Sequence, residues 1–160
     1  MYSNKIVCEI LKYIDDNINT KISIDDLENK FFYNKFYILK LFKKEMNMTI
    51  IEYINSLRIY NSILQIKDTN NSLLSIAFKN GFYSIEYFSE TFKKIVGINP
   101  QIVKKHFKNK NSISLEQSST ISDSLLNLYY IKQKRDKYLA NKKPNISPVK
   151  ELSIFKKTTC

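Results

Sequence analysis

The side chains of this sequence with most scope for chemistry are lysines set among aromatics. In FYNKFYILKLFKKEM (32–46), Lys35, Lys40, Lys43 and Lys44 are interleaved with Phe36, Tyr37, Leu41 and Phe42. Ammonium groups placed this way can gather phosphate, since each is a compact positive charge with three donors. The whole chain leans the same way: 26 Lys+Arg against 15 Asp+Glu give a formal charge of +11 and a pI near 9.5, which points to a polyanionic partner. Other reactive chemistry is scarce. Cys8 and Cys160 stand at opposite ends, with no CxxC and no histidine at ligand spacing, so neither a disulfide framework nor a zinc site is indicated. His106 is the sole histidine, expected as an exposed residue beside Lys104 and Lys105, and no Ser, Cys or carboxylate has a base at a plausible address. The expectation is therefore no catalytic residue, no metal and no cofactor. No run of about 18 apolar residues and no charged start followed by an apolar signal core occurs, so the expected location is cytoplasmic, with no membrane partner.

These lysines need a scaffold, and 160 residues at 43% hydrophobic suffice for one ordinary globular domain. Composition changes near residue 108. Residues 1–107 carry 15 Lys+Arg against 11 Asp+Glu, a net of +4, while 108–160 carry 11 against 4, a net of +7. The expected division is a domain over 1–107 and a basic, low-complexity tail over 108–160. NKNSISLEQSSTISDS (109–124) has the Ser/Asn density of a linker. A helix is expected over 124–142, where Leu125, Leu128, Tyr129 and Lys132 fall at helical spacing, with disorder beyond Pro144. Two roles suit the tail: added phosphate affinity through Lys132, Lys134, Arg135, Lys137, Lys142 and Lys143, or pairing of its helix with itself or another protein.

The first 107 residues read as all-α. Ile6, Ile10, Tyr13, Ile14 and Ile18 form one apolar stripe. Ser23 precedes IDDLENKF as an N-cap with acids in the first turn. A helix over 34–46 is expected with Tyr37, Ile38, Leu41 and Phe42 inward, and Thr49 with Glu52 makes a capping box that opens a long helix to about Lys67. Ser72 and Ser84 cap two more helices, and a last one starts at Pro100, an N1 proline after Asn99. The two halves repeat. LKLFKKEMNMT (39–49) and SETFKKIVGIN (89–99) superpose at an offset of 50, and Leu27 pairs with Ile76 at an offset of 49. The repeated unit is a short helix, a turn and a longer helix, with one extra residue in the second turn.

The chain has only two glycines, and both serve this repeat. Gly81 is placed at the turn inside the second unit and Gly97 at the end of its longer helix, where a positive φ costs glycine little. Asn47 stands where Gly97 stands, a tolerable substitute; Phe32 takes the place of Gly81, so that turn either differs in shape or holds about 1–2 kcal/mol of strain.

The order Ile10, Tyr13, Ile14, then ISIDDLENKFFYNKFYILKLFKKEMNMTIIEYINSLRI (22–59), then IAFKNGFYSIEYFSETFKKIVGINP (76–100) resembles the DNA-binding domain of the AraC/XylS transcription regulators over about residues 6–106. The resemblance implies about seven helices forming two helix-turn-helix subdomains joined by a long linker helix, with helices 34–46 and 84–95 entering successive major grooves of double-stranded DNA. It places Lys35, Phe36, Leu39 and Lys40 in the first helix, and Ile85, Glu86, Ser89 and Glu90 in the second, toward the bases. Asn34, Lys43, Ser84 and Lys93 are placed toward phosphate. Lys40 is the leading base reader, able to donate to guanine O6 and N7, while Phe36 and Leu39 suit thymine methyls.

Several residues depart from the family pattern. Glu90 stands where an arginine is frequent, with Glu86 one turn before it; these carboxylates oppose phosphate unless they accept from cytosine N4 or pair with Lys93 or Lys94. Ser62 replaces a usual alanine, and Arg58, on the linker helix, is either a phosphate contact or a structural ion pair. The family's larger members carry a sensor domain ahead of this one; with the first helix starting within a few residues of Met1, none is expected here. The expectation is a sequence-specific regulator, monomeric on its site, controlled by abundance or by a partner. The alternative is a protein-interaction module whose second unit no longer reads DNA, with RNA polymerase as a candidate partner.

Overall fold

Eight helices and no strand make up the described part of the chain, residues 2–109 and 113–139 of the computed structural model. They are α1 (Tyr2–Asn17), α2 (Ile24–Phe31), α3 (Lys35–Met46), α4 (Ile50–Asp68), α5 (Leu73–Lys79), α6 (Ile85–Val96), α7 (Pro100–Lys108) and α8 (Leu115–Leu139). The expected disorder beyond Pro144, and Lys142 and Lys143, lie outside the described residues.

Local chemistry explains most of the boundaries. Ser23 with Asp26, and Thr49 with Glu52, form reciprocal capping boxes at α2 and α4. Asn34, Ser72, Ser84 and Asn99 each accept an amide in the first turn of α3, α5, α6 and α7, and Pro100 is the first residue of α7. Asn47 and Gly97 end α3 and α6 in the same left-handed conformation, at φ 59° and 84°.

Helix α4 buries residues on most sides of its circumference because it serves two cores. Its first half gives Ile50, Tyr53, Ile54 and Leu57 to a core shared with α1, α2 and α3. Its second half gives Ile59, Ile63 and Ile66 to a core built from α5, α6, α7 and α8. Two lobes thus hang on one helix, and each contains one copy of the repeat, α2–α3 or α5–α6.

The turns of the two copies differ in a way the backbone explains. In the second, Gly81 (φ 80°) is followed by Phe82 and Tyr83 before the N-cap Ser84; in the first, Phe32 takes the left-handed place (φ 56°, ψ 30°) and only Tyr33 precedes the N-cap Asn34. The first turn is therefore both one residue shorter and strained. Phe32 is 91% exposed, so its ring packs on little that would compensate. Phe32→Asn is expected to stabilise the fold by about 1 kcal/mol, seen as a higher urea midpoint at unchanged slope; a lower midpoint would mean that the ring is holding the turn.

Helix α8 starts at Leu115, ahead of the expected 124. Ser114 and Gln117 cap it reciprocally, Thr120 and Ser122 turn their hydroxyls back to carbonyls four residues earlier, and the single Ser124 hydroxyl proton lies between Thr120 O and Val96 O. The Ser/Thr density that reads as a linker is here satisfied inside a helix. Ile121, Leu125 and Leu128 are buried in the second core; the expected last residues, 140–142, lie outside the described ones.

Candidate nucleic-acid interface

Helices α3 and α6 are the longer members of the two repeats, and their burial patterns coincide at every position from Lys35/Ile85 to Asn47/Gly97. Ile38, Leu41, Phe42 and Met46 are buried, as are Phe88, Thr91, Phe92 and Val96. The exposed face of α3 carries Phe36, Tyr37, Lys40, Lys43 and Lys44; that of α6 carries Glu86, Tyr87, Glu90, Lys93 and Lys94. One scaffold therefore displays two faces of matched geometry and opposite charge at their centres, with paired lysines at the same place on each.

The remaining candidates sit at the margins of these faces. Lys35 is half-buried, its ammonium 3.7 Å from Asp25, and its amide donates to Glu28 Oε1 at 3.1 Å. Leu39 leans on the first core and Ile85 on the second, and Ser89 is half-buried. Asn34 Oδ1 accepts from the Phe36 amide at 2.9 Å, and Ser84 Oγ from the Tyr87 amide at 3.0 Å. Capping uses an acceptor in each, which leaves the Asn34 amide NH2 and the Ser84 hydroxyl proton as their donors.

Tyr37 was expected inward, and the structure corrects this: Tyr37 and its repeat mate Tyr87 are each 47% exposed. The Tyr37 ring lies against Tyr33, with centroids 5.5 Å apart, and the Tyr87 hydroxyl accepts from Asn55 Nδ2 at 2.9 Å. The offset of 50 pairs them, and equal exposure at equivalent positions is the signal that marks both as part of the faces. A groove of about 450 Å³ separates α4 from α6, lined by Ile51, Asn55, Tyr87, Glu90 and Lys94 among others. At its edge the Thr49 amide and hydroxyl hold the Glu52 carboxyl below the usual range, with Lys94 and Lys43 adding to the effect. Lysines of both repeats thus lie near the first turn of α4.

Arg58 is structural, and its partners are carbonyl oxygens rather than a carboxylate. Its Nε donates to Ile18 O at 2.9 Å and an Nη to Thr20 O at 2.7 Å, and its guanidinium lies over the Phe82 ring. A Cβ added to Gly81 would stand 2.9 Å from Ile18 O and 3.1 Å from the guanidinium, so this glycine is required by close approach as well as by its φ. Ser62, at the usual alanine position, is fully buried and donates to Arg58 O at 2.7 Å. His106 is also corrected: it is 5% exposed, beside Phe107, and burial lowers its pKa. Val103 and His106 lie on the buried side of α7 one turn apart, which takes the ring away from the surface.

Among the described residues, no group of three His, Cys, Asp or Glu side chains could hold a metal, and no helix is long and apolar enough to cross a membrane. Two helix-turn-helix units joined by one shared helix define a tandem helix-turn-helix DNA-binding domain. Comparison with known proteins agrees. The helix-turn-helix domain family matches residues 27–106. The transcriptional activator AarP of Providencia stuartii is 32% identical over 101 residues, 63% of this chain and 75% of that protein. The melibiose operon regulatory protein of Escherichia coli K12 is 33% identical over 99 residues, 62% of this chain but 33% of that longer protein. The crystal structure of an AraC-type regulator from Chromobacterium violaceum shares the fold, with a TM-score of 0.59 at 22% identity over 67% of this chain and 96% of that one. The chain belongs to the AraC/XylS family of DNA-binding transcription regulators.

Proposed function

We propose that this regulator recognises a bipartite site by setting α3 and α6 into successive major grooves on one face of duplex DNA. The observation that carries the reading is the position-by-position match of exposed residues on the two helices. Phe36 and Lys40 on α3, and Glu86 and Glu90 on α6, are the exposed members of the base-facing sets, flanked by half-buried Lys35, Leu39, Ile85 and Ser89. Asn34, Lys43, Ser84 and Lys93 hold phosphate, assisted by the amides at the two helix N-termini. In this reading Lys40 donates to guanine, the 71% exposed Phe36 packs on a thymine methyl, and Glu90 accepts from a cytosine amino group. Each chain carries two readers, so a monomer fills the site; the protein acts at the nucleoid in the cytoplasm, where RNA polymerase is its protein partner. The reading assigns the chain no catalytic step.

Glu90→Arg tests whether the acidic face meets DNA. On duplex DNA lacking the operator, the change is expected to tighten binding and to steepen the dependence of log K on log salt by about 0.9 for the phosphate gained. Titrations at several salt concentrations measure both. An unchanged affinity and slope would put the exposed face of α6 away from DNA.

A further inference from the structure

We propose that α8 is a strut that fixes the separation and pitch of the two recognition helices, and through them the single block spacing the protein accepts. The inference rests on the reading of α3 and α6 as DNA readers. Its observation is that α8, which lies beyond the matched residues 27–106, is anchored at the C-terminal end of each recognition helix. At α6, the Ser124 hydroxyl proton is shared between Val96 O and Thr120 O, each 2.9 Å away, and the Thr120 methyl comes within 2.8 Å of where a Cβ on Gly97 would stand. At α3, the Tyr138 hydroxyl donates to Glu45 Oε2 at 3.0 Å. The same end of α8 is tied to α1: Arg135 pairs with Asp15 at 2.9 Å, and Cys8 Sγ donates to Tyr138 O at 3.1 Å. Ile131, between the two ends, packs against both cores.

The mechanical consequence follows from counting connections. Without α8, the lobes would be joined by α4 and by the contact of Gly81 and Phe82 with Arg58 and Ile18, both near the middle of the molecule, and could pivot about that region. A second helix bonded to both lobes makes any change in the angle between α3 and α6 break contacts at one end of α8. Ser124 and Tyr138 are 14 residues apart, so roughly 21 Å of rigid helix separates the two anchors. A bipartite site then gains the benefit of intramolecular engagement by the second reader only when its two blocks match the fixed geometry; a mismatch forfeits on the order of a hundredfold in affinity.

The test measures full-length protein on its selected operator, on duplexes whose inter-block spacing is changed by one or two base pairs either way, and on a duplex with one block only. The wild type is expected to lose about a hundredfold on a respaced site. An Arg135→Ala, Tyr138→Phe double variant is expected to keep single-block affinity while losing about tenfold or less on respaced sites. A double variant with native circular dichroism, wild-type single-block binding and the full spacing penalty would overturn the strut. Should the double variant fail to fold, spin labels coupled to p-acetylphenylalanine placed at positions 44 and 94, which leaves Cys8 and its bond to Tyr138 O in place, report the helix separation directly: one narrow distance distribution is expected, broadened in Tyr138→Phe. A broad distribution in the otherwise wild-type chain, or no broadening in Tyr138→Phe, overturns the proposal. Absence of any two-block operator would instead remove the reading of α6 as a DNA reader, and the spin-label distances would still decide the strut.

Discussion

Arg58→Ala is expected to lower folding stability by about 3 kcal/mol, the sum of two charged-donor hydrogen bonds and the exposure of their carbonyl partners to an unfilled interior. The guanidinium reaches from α4 to the α1–α2 connection at Ile18 and Thr20 while lying beneath Gly81 and over Phe82. Removing it leaves two carbonyls without their donor and a gap under the second turn. Arg58→Lys keeps a charge but not the fork that serves two acceptors at once, so about half the loss is expected to remain. Urea unfolding followed by circular dichroism measures both variants. A loss below about 0.5 kcal/mol in the alanine variant, the range of an unremarkable surface change, would mean that the connection does not depend on Arg58.

Lys40→Ala is expected to cost about 1–3 kcal/mol on the best operator and to flatten base preference at the position it reads. Lys40 is exposed at the centre of the α3 face, where its repeat mate is Glu90. Lys43 and Lys44, by contrast, have lysine mates in Lys93 and Lys94 on α6. A residue whose charge reverses between the copies is suited to discrimination, and one that keeps its charge is suited to phosphate. Anisotropy titrations on a panel of single-base operator variants separate the roles. An equal loss on every duplex, with a salt slope shallower by about 0.9, would make Lys40 a phosphate contact.

How much of this was legible beforehand depended on the range of the interactions. The caps at Ser23, Thr49, Ser72, Ser84 and Asn99 are local chemistry over two or three residues, and the structure has them where the sequence places them. The repeat was legible because both copies keep the same apolar positions, from Phe42/Phe92 outward. Phe32 could be identified as the counterpart of Gly81, but whether its turn was reshaped or strained required coordinates; it is both. The partners of Arg58 are 38 and 40 residues away, and the inward turn of His106 depends on which side of α7 meets its neighbours. The start of α8 was hidden because hydroxyl-rich segments serve as linkers or as helices according to whether packing holds them, and here α4 and α6 supply the packing. The candidate base readers came from family resemblance; exposure alone selects Phe36, Lys40, Glu86 and Glu90, and adds Tyr37 and Tyr87.

Selection of binding sites from random duplex DNA at roughly physiological salt tests the central claim most directly. Two short enriched blocks about one helical turn apart, near 10 bp, are the predicted result, with guanine or thymine favoured in the block read by α3 and cytosine in the block read by α6. Enrichment of a single block, or of no sequence at all, would contradict recognition by two helices.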